Sequence, residues 1–161
     1  DGLHKASYIS PLEVHLEMQE VTKIIEVENG LLIDTGSPHY IRLVDNIEAI
    51  NVQKEGAAIR YSDSFMPNGI NVNFVEKEGI TKYKIRTYER GVENETLACG
   101  TGAVAAAIAI HSKGESEGET EVDLKALGGD LKVSFEVSDK RYYQIYLKGP
   151  AMHVFSGTIQ L

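Results

Sequence analysis

Gly102-Ala103-Val104-Ala105-Ala106-Ala107-Ile108-Ala109-Ile110-His111-Ser112 reads as a helix that is apolar on nearly every face. A helix with no polar side belongs in the interior of a protein. Lys113-Gly114 follows as a stop signal, because glycine accepts the left-handed conformation that ends helices. Just before the helix stands Leu97-Ala98-Cys99-Gly100-Thr101, so the single cysteine of the chain lies at the helix mouth. An interior helix dictates the architecture: the remaining segments must wrap around it.

Those segments read mainly as strands. Val14, Leu16 and Met18 alternate with His15, Glu17 and Gln19, the period of two expected of a half-buried strand. Ala6, Tyr8 and Ile9 precede Pro11 in a similar burst. Lys23 to Glu28 and Gly30 to Ile33 form an expected hairpin, turning at Asn29-Gly30. Further strands are expected over Tyr40 to Val44, Asn71 to Val75, Tyr83 to Tyr88, Glu121 to Ala126, Asp130 to Val137 and Tyr142 to Lys148. Asn51 to Ser62 carries apolar residues at the spacing of a short amphipathic helix, and Glu115 to Glu121 reads as an exposed loop. The fold class is therefore α+β, a mixed or antiparallel β-sheet curled around a buried central helix.

Bulk properties narrow the function classes. The chain has 161 residues, 42% of them hydrophobic and 25% charged, which suits one globular domain with a core or two small lobes. A net charge of −8 with scattered Lys and Arg argues against a nucleic-acid partner. No apolar run approaches the ~20 residues that a membrane-spanning helix needs. A lone cysteine forms no internal disulfide, and a cytoplasmic location is expected. The Asp1-Gly2 start reads as an interior cut of a longer protein.

Three clusters carry candidate chemistry. A lone cysteine is most often an inert apolar group. Cys99, however, precedes Gly100-Thr101-Gly102, whose amides at a helix start would form an anion site and favour a thiolate. Glu89-Arg90 ends a strand nine to ten positions upstream; the plain reading is a solvated edge, the functional one a fork for a carboxylate beside an acceptor for an ammonium. Asp34-Thr35-Gly36-Ser37-Pro38-His39 is rich in turn formers and also places Ser37 and His39 at a strand tip, where an imidazole could tune the thiol. Asn71 opens the strand after Pro67-Asn68-Gly69 and could bind a polar head group. The other histidines show no metal-ligand spacing, so no metal site is expected.

Four segments together resemble the C-terminal lobe of the diaminopimelate epimerase family. They are Gly36-Ser37-Pro38-His39, Asn71-Val72-Asn73-Phe74, Glu89-Arg90-Gly91 through Cys99-Gly100-Thr101-Gly102, and Gly149-Pro150-Ala151 with Val154-Phe155 and Gly157. The resemblance implies a cofactor-independent enzyme that interconverts LL- and meso-diaminopimelate with two cysteines, one in each of two pseudo-symmetric lobes. Residue by residue, it implies Cys99 as one acid/base, with Glu89 and His39 near the reacting amino group. Gly100 and Thr101 would hold the reacting carboxylate, and Asn71 and Arg90 the distal amino-acid end. Ser37 stands where the family often has Asn, replacing an amide contact with a hydroxyl.

The first lobe's Gly-Asn-Gly-x-Arg-Cys motif is absent from the sequence. Residues 1–148 are thus expected to be the C-terminal catalytic lobe, and 149–161 a terminal strand segment returning to the other lobe. Isolated, the chain is expected to be inactive, and a homodimer is compatible with the sequence. Two other readings stay open: another two-base amino-acid racemase of this architecture, such as a proline racemase relative, and a non-catalytic module that binds a small carboxylate.

Overall fold

The computed structural model describes residues 3–10, 13–151 and 153–160. Expectations that fall on Asp1-Gly2, Pro11, Met152 and Leu161 lie outside the described residues. Eleven strands and two α-helices follow in the order β1 (Ala6–Ser10), β2 (Glu13–Glu17), β3 (Ile24–Val27), β4 (Gly30–Asp34), β5 (Pro38–Leu43), α1 (Val52–Arg60), β6 (Asn71–Lys77), β7 (Lys82–Glu89), β8 (Asn94–Thr96), α2 (Gly100–Ser112), β9 (Glu121–Ala126), β10 (Gly129–Ser138) and β11 (Arg141–Gly149). A 3-10 turn, Ile47–Ala49, precedes α1.

One sheet runs in the order β1-β2-β11-β10-β9-β7-β6-β5-β4-β3, with β8 paired to β7 off that path. Most neighbours are antiparallel. The two exceptions, β5 with β6 and β7 with β9, each have a helix in the segment that joins them, a crossover of the kind parallel pairing needs. The expected mixed sheet is therefore present, and α1 and α2 are the crossovers that make it mixed.

Helix α2 lies inside. Every residue from Gly102 to Ile110 is buried, and α2 contacts β4, β5, β6, β7, β9, β10 and β11. The sheet therefore bends around it. The alanines let strands approach closely on all sides, while Val104, Ile108 and Ile110 pack with Ile41, Val75, Ile85, Leu124, Val133 and Ile145. The helix starts at Gly100, two residues before the expected Gly102. It ends as expected: Lys113 is its C-cap and Gly114 adopts φ 75°.

A second, smaller core lies on the other face of the sheet, where α1 covers Tyr40, Val72, Phe74 and Tyr88. Strands β5 to β7 are thus covered on both faces, which explains why β6 is buried from Asn71 to Val75 without alternation. The alternation nevertheless assigns faces. Tyr40, Val72, Phe74 and Tyr88 turn towards α1, so His39, Ile41, Asn71, Asn73, Val75, Thr87 and Glu89 belong to the α2 face.

The hairpin at Asn29 differs from the expectation by one residue. Gly30 already pairs with Val27, so the turn residues are Glu28 and Asn29, and Asn29 takes the left-handed conformation at φ 59°. Gly30 is required for packing instead, since a Cβ there would lie 2.6 Å from both the Ile41 carbonyl and the Tyr40 ring. Gly149 is still paired with Val14 at the end of β11, and the described residues beyond it form no strand. Among them Val154, Phe155 and Ile159 are more than four-fifths exposed.

Candidate active site

Cys99 is the N-cap of α2, in extended conformation at φ −131° and ψ 112°. A cysteine offers no oxygen to cap the helix, and its side chain caps no amide, so the thiol is free for other partners. The Thr101 and Gly102 amides lie near enough to favour the thiolate without capping it, and the Thr101 hydroxyl lies 3.5 Å from Sγ. Gly102 has to be glycine here: a Cβ would lie 2.5 Å from Asn73 Oδ1 and 3.3 Å from Cys99 Sγ.

The thiol's acidity differs from the expectation. Burial pushes the Cys99 thiol up, outweighing the Thr101 hydroxyl and the Gly102 and Thr101 amides that draw it down; the Glu89 carboxylate adds to the rise. A helix N-terminus favours the thiolate, but in this chain desolvation of the charge is the larger effect.

His39, on β5, is fully buried. Its Nε2 stands 3.0 Å from Thr101 Oγ1 and its Nδ1 3.0 Å from Asn73 Nδ2. Burial, then the Arg90 guanidinium, lowers its pKa to about 3, so the imidazole is neutral at physiological pH. Thr35, also buried, donates its hydroxyl to the Thr101 carbonyl at 3.0 Å and fastens the β4–β5 turn to the first turn of α2. That turn is shaped by Gly36 at φ 94°, whose amide donates to Asp34 Oδ1 at 2.9 Å.

The second set of expected residues also converges. Asn71 is buried, paired with His39 across β5 and β6. Its Nδ2 donates to Ser37 Oγ at 2.7 Å and to the Pro38 carbonyl at 3.1 Å, while its Oδ1 accepts the Arg90 amide at 2.8 Å. The Arg90 side chain donates from Nη1 to the Asn68 carbonyl at 3.3 Å. Ser37, Asn71 and Arg90 thereby form one connected patch beside His39. Glu89 ends β7 on the Cys99 side, and Gly100 opens α2 against Leu147.

Three features escaped the sequence reading. Asn73 and Thr87 sit directly behind His39, where Thr87 Oγ1 donates to Asn73 Oδ1 at 2.9 Å. Period-two counting from Asn71 and Glu89 would have placed both on the site face. Glu93 gives no such signal. It takes the left-handed conformation at φ 58° and accepts hydrogen bonds from the Gly91 amide, Tyr61, Tyr88 and Arg60. The Gly91 amide first, then Tyr61 and Arg60, hold its carboxyl at about 2. Glu93 thus pins the turn that carries Glu89 and Arg90 to helix α1.

The family model for diaminopimelate epimerase matches residues 31–154, which span every residue of both clusters. The chain belongs to the diaminopimelate epimerase family. It is 43% identical over 159 residues to the diaminopimelate epimerase of Flavobacterium psychrophilum, covering 99% of this chain and 62% of that protein. It is 47% identical over 135 residues to that of Chlorobaculum tepidum, covering 83% of this chain and 51% of that protein. The chain therefore spans about half to three-fifths of the length of these relatives. A hydroxyproline epimerase of Agrobacterium vitis shares the fold at a TM-score of 0.64 and 15% identity, over 89% of this chain and 52% of that one. A probable proline racemase from Agrobacterium radiobacter shares it at 0.58 and 16%, over 86% and 51%.

Among the described residues, no group of three or more His, Cys, Asp and Glu side chains is placed to hold a metal ion. Nor, among the described residues, is any helix long and apolar enough to cross a membrane.

Proposed function

We propose that this chain supplies one half of the active site of a diaminopimelate epimerase, residues 1–148 forming a catalytic lobe and 149–161 serving a second lobe. The observation that carries the reading is Cys99 at the mouth of a buried helix, with His39, Glu89 and the Ser37–Asn71–Arg90 patch drawn to the same end. The family membership and the named relatives support the same reading. The exposed Val154, Phe155 and Ile159 suit a segment that gains cover from another unit.

In this mechanism no cofactor takes part. The α-hydrogen of a free amino acid is very weakly acidic, so the carbanion formed on its removal requires stabilisation by fixed dipoles. Amides at the start of α2, those of Gly100 and Thr101, hold the reacting carboxylate there, Glu89 faces the reacting amino group, and His39 supports the site from behind through Thr101. Cys99 as thiolate takes the proton from one face of the α-carbon while a thiol of the second lobe gives one to the opposite face. In the reverse direction Cys99 is the acid. Inversion needs both groups, since a single base returns the proton to the face it left.

Substrate binding changes the balance at Cys99. A thiol held up by burial stays protonated and ready to give its proton, whereas the ammonium group of a bound amino acid is a positive charge that favours the thiolate. Arg90 selects a substrate with a second amino-acid head, because it presents a planar fork, and Asn71 holds Ser37 and the Arg90 backbone in place beside it. A proline-type substrate has no such head, which favours diaminopimelate over the other racemase reading.

The test is interconversion of LL- and meso-diaminopimelate by the 161-residue chain alone and by the longer protein that contains it together with the portion its relatives have. Activity in the longer protein that is lost on Cys99→Ala, with none in the isolated chain, supports the reading. Equal activity in both would refute the half-site, and tight diaminopimelate binding without turnover in either would favour the carboxylate-binding module.

A further inference from the structure

A row of four hydrogen bonds leads from the sheet interior to the thiol. Thr87 Oγ1 donates to Asn73 Oδ1 at 2.9 Å; Asn73 Nδ2 is 3.0 Å from His39 Nδ1; His39 Nε2 is 3.0 Å from Thr101 Oγ1; Thr101 Oγ1 is 3.5 Å from Cys99 Sγ. The direction of each bond follows from the Asn73 amide. Its nitrogen also donates to the Tyr40 carbonyl at 3.3 Å, a group that only accepts, so the amide does not reverse. The same nitrogen therefore presents a hydrogen to Nδ1 of His39, and Nδ1 must carry a lone pair.

A neutral imidazole has one N–H, which consequently sits on Nε2 and points at Thr101 Oγ1. With a donor already directed at its oxygen, the Thr101 hydroxyl keeps its own hydrogen for Sγ. We propose that Asn73 is a positioning residue of the site: by fixing the His39 proton on Nε2, it commits the Thr101 hydroxyl to donating to Cys99.

The setting keeps the row aligned. Asn73 and His39 are fully buried and Thr87 nearly so, leaving no solvent to offer an alternative partner. The first turn of α2 rests directly on Asn73, whose Oδ1 would lie 2.5 Å from any Cβ at position 102. Burial and Arg90 keep His39 neutral, which the single N–H argument requires. The charged groups facing the pair are Glu89 from β7, which disfavours the thiolate, and Arg90, which faces His39. The proton order set by Asn73 opposes the desolvation of Cys99, because a donated hydrogen bond stabilises the anion more than the neutral thiol.

The inference rests on Cys99 acting as an acid/base, but its test reads the thiol and the imidazole in this chain without any turnover, so it stands or falls separately from the epimerase reading. Nitrogen-15 NMR of the wild-type chain should show His39 protonated at Nε2 and bare at Nδ1 between about pH 5 and 8. A proton on Nδ1 overturns the proposal, whatever the variants do.

Cys99 is the only cysteine, so iodoacetamide labelling against pH reports it alone. Thr101→Val should raise the pH of half-maximal labelling by about one unit or more, the scale of a hydrogen bond to a charged group, and Thr101→Ser should restore it. Asn73→Ala should raise it by a smaller amount, and should add nothing when combined with Thr101→Val. A merely structural role for Asn73 predicts a shift that persists in the double variant, and that result, or no shift in Asn73→Ala, contradicts the proposal. Should Asn73→Ala not fold, the wild-type tautomer decides.

Discussion

His39 Nε2 and Thr101 Oγ1 stand 3.0 Å apart although 62 positions separate them in the chain, and this contact joins the β4–β5 turn to the cysteine-bearing mouth of α2. Together with the Thr35 hydroxyl on the Thr101 carbonyl, it makes the position of Cys99 depend on a buried, neutral histidine.

That histidine has a consequence for stability. Its folded pKa is about 3, against an unfolded value near ~6.5. The unfolded state therefore binds a proton that the folded state refuses. Stability is full above about pH 6.5 and falls as pH drops through the window towards 3. At pH 5 the loss is about 2 kcal/mol. Urea unfolding at pH 7 and pH 5 should show that loss in the wild-type chain and a clearly smaller one in His39→Gln, whose amide does not titrate. An equal loss in both would assign the acid sensitivity to other groups.

Gly102→Ala separates helix propensity from packing. Alanine within an exposed helix gains ~1 kcal/mol over glycine. Here the added Cβ would meet Asn73 Oδ1 at 2.5 Å, and Asn73 is held by Thr87, His39 and Tyr40. Overpacking a fixed site costs ~1–3 kcal/mol. The net expectation is destabilisation of up to about 2 kcal/mol in denaturant unfolding. A more stable Gly102→Ala would show that Asn73 moves freely.

Burial dominates the Cys99 thiol in this chain. Its iodoacetamide labelling should therefore reach half-maximum at a higher pH than an unstructured cysteine peptide under the same conditions. Half-labelling below the peptide's would mean that the α2 amides outweigh desolvation.

Arg90 tests substrate selection in the longer protein. Its backbone amide is tied to Asn71 and its guanidinium to the Asn68 carbonyl, which holds the residue at the Asn71 end of β6. Arg90→Ala should lower kcat/KM for diaminopimelate by at least about tenfold, or ~1.4 kcal/mol. Arg90→Lys should recover part of it, since an ammonium does not form two parallel bonds to a carboxylate. An unchanged kcat/KM would return Arg90 to the solvated strand edge.

Much of this arrangement was legible in the chain. The apolar run Gly102 to Ile110 announced an interior helix, and alternation along Tyr83–Tyr88 announced a strand, because those patterns are local and repeat every few residues. Cys99, His39 and Arg90 stood out through their chemistry next to turn formers. What stayed hidden depended on contacts between distant segments. Asn73 is an ordinary strand residue until β5 and β7 flank it and His39 and Thr87 arrive from either side. Glu93 reads as an exposed acid until α1 brings Arg60 and Tyr61 to it. The acidity of Cys99 misled in the same way: glycines at a helix start are visible in sequence, whereas desolvation by the surrounding sheet is not.

The central claim, that Cys99 exchanges the α-proton of diaminopimelate, is tested most directly in deuterium oxide. The longer protein containing this chain, given LL-diaminopimelate, should form meso-diaminopimelate with deuterium at the inverted α-carbon, and Cys99→Ala should form none. Meso product without deuterium, or undiminished exchange in Cys99→Ala, would contradict the account.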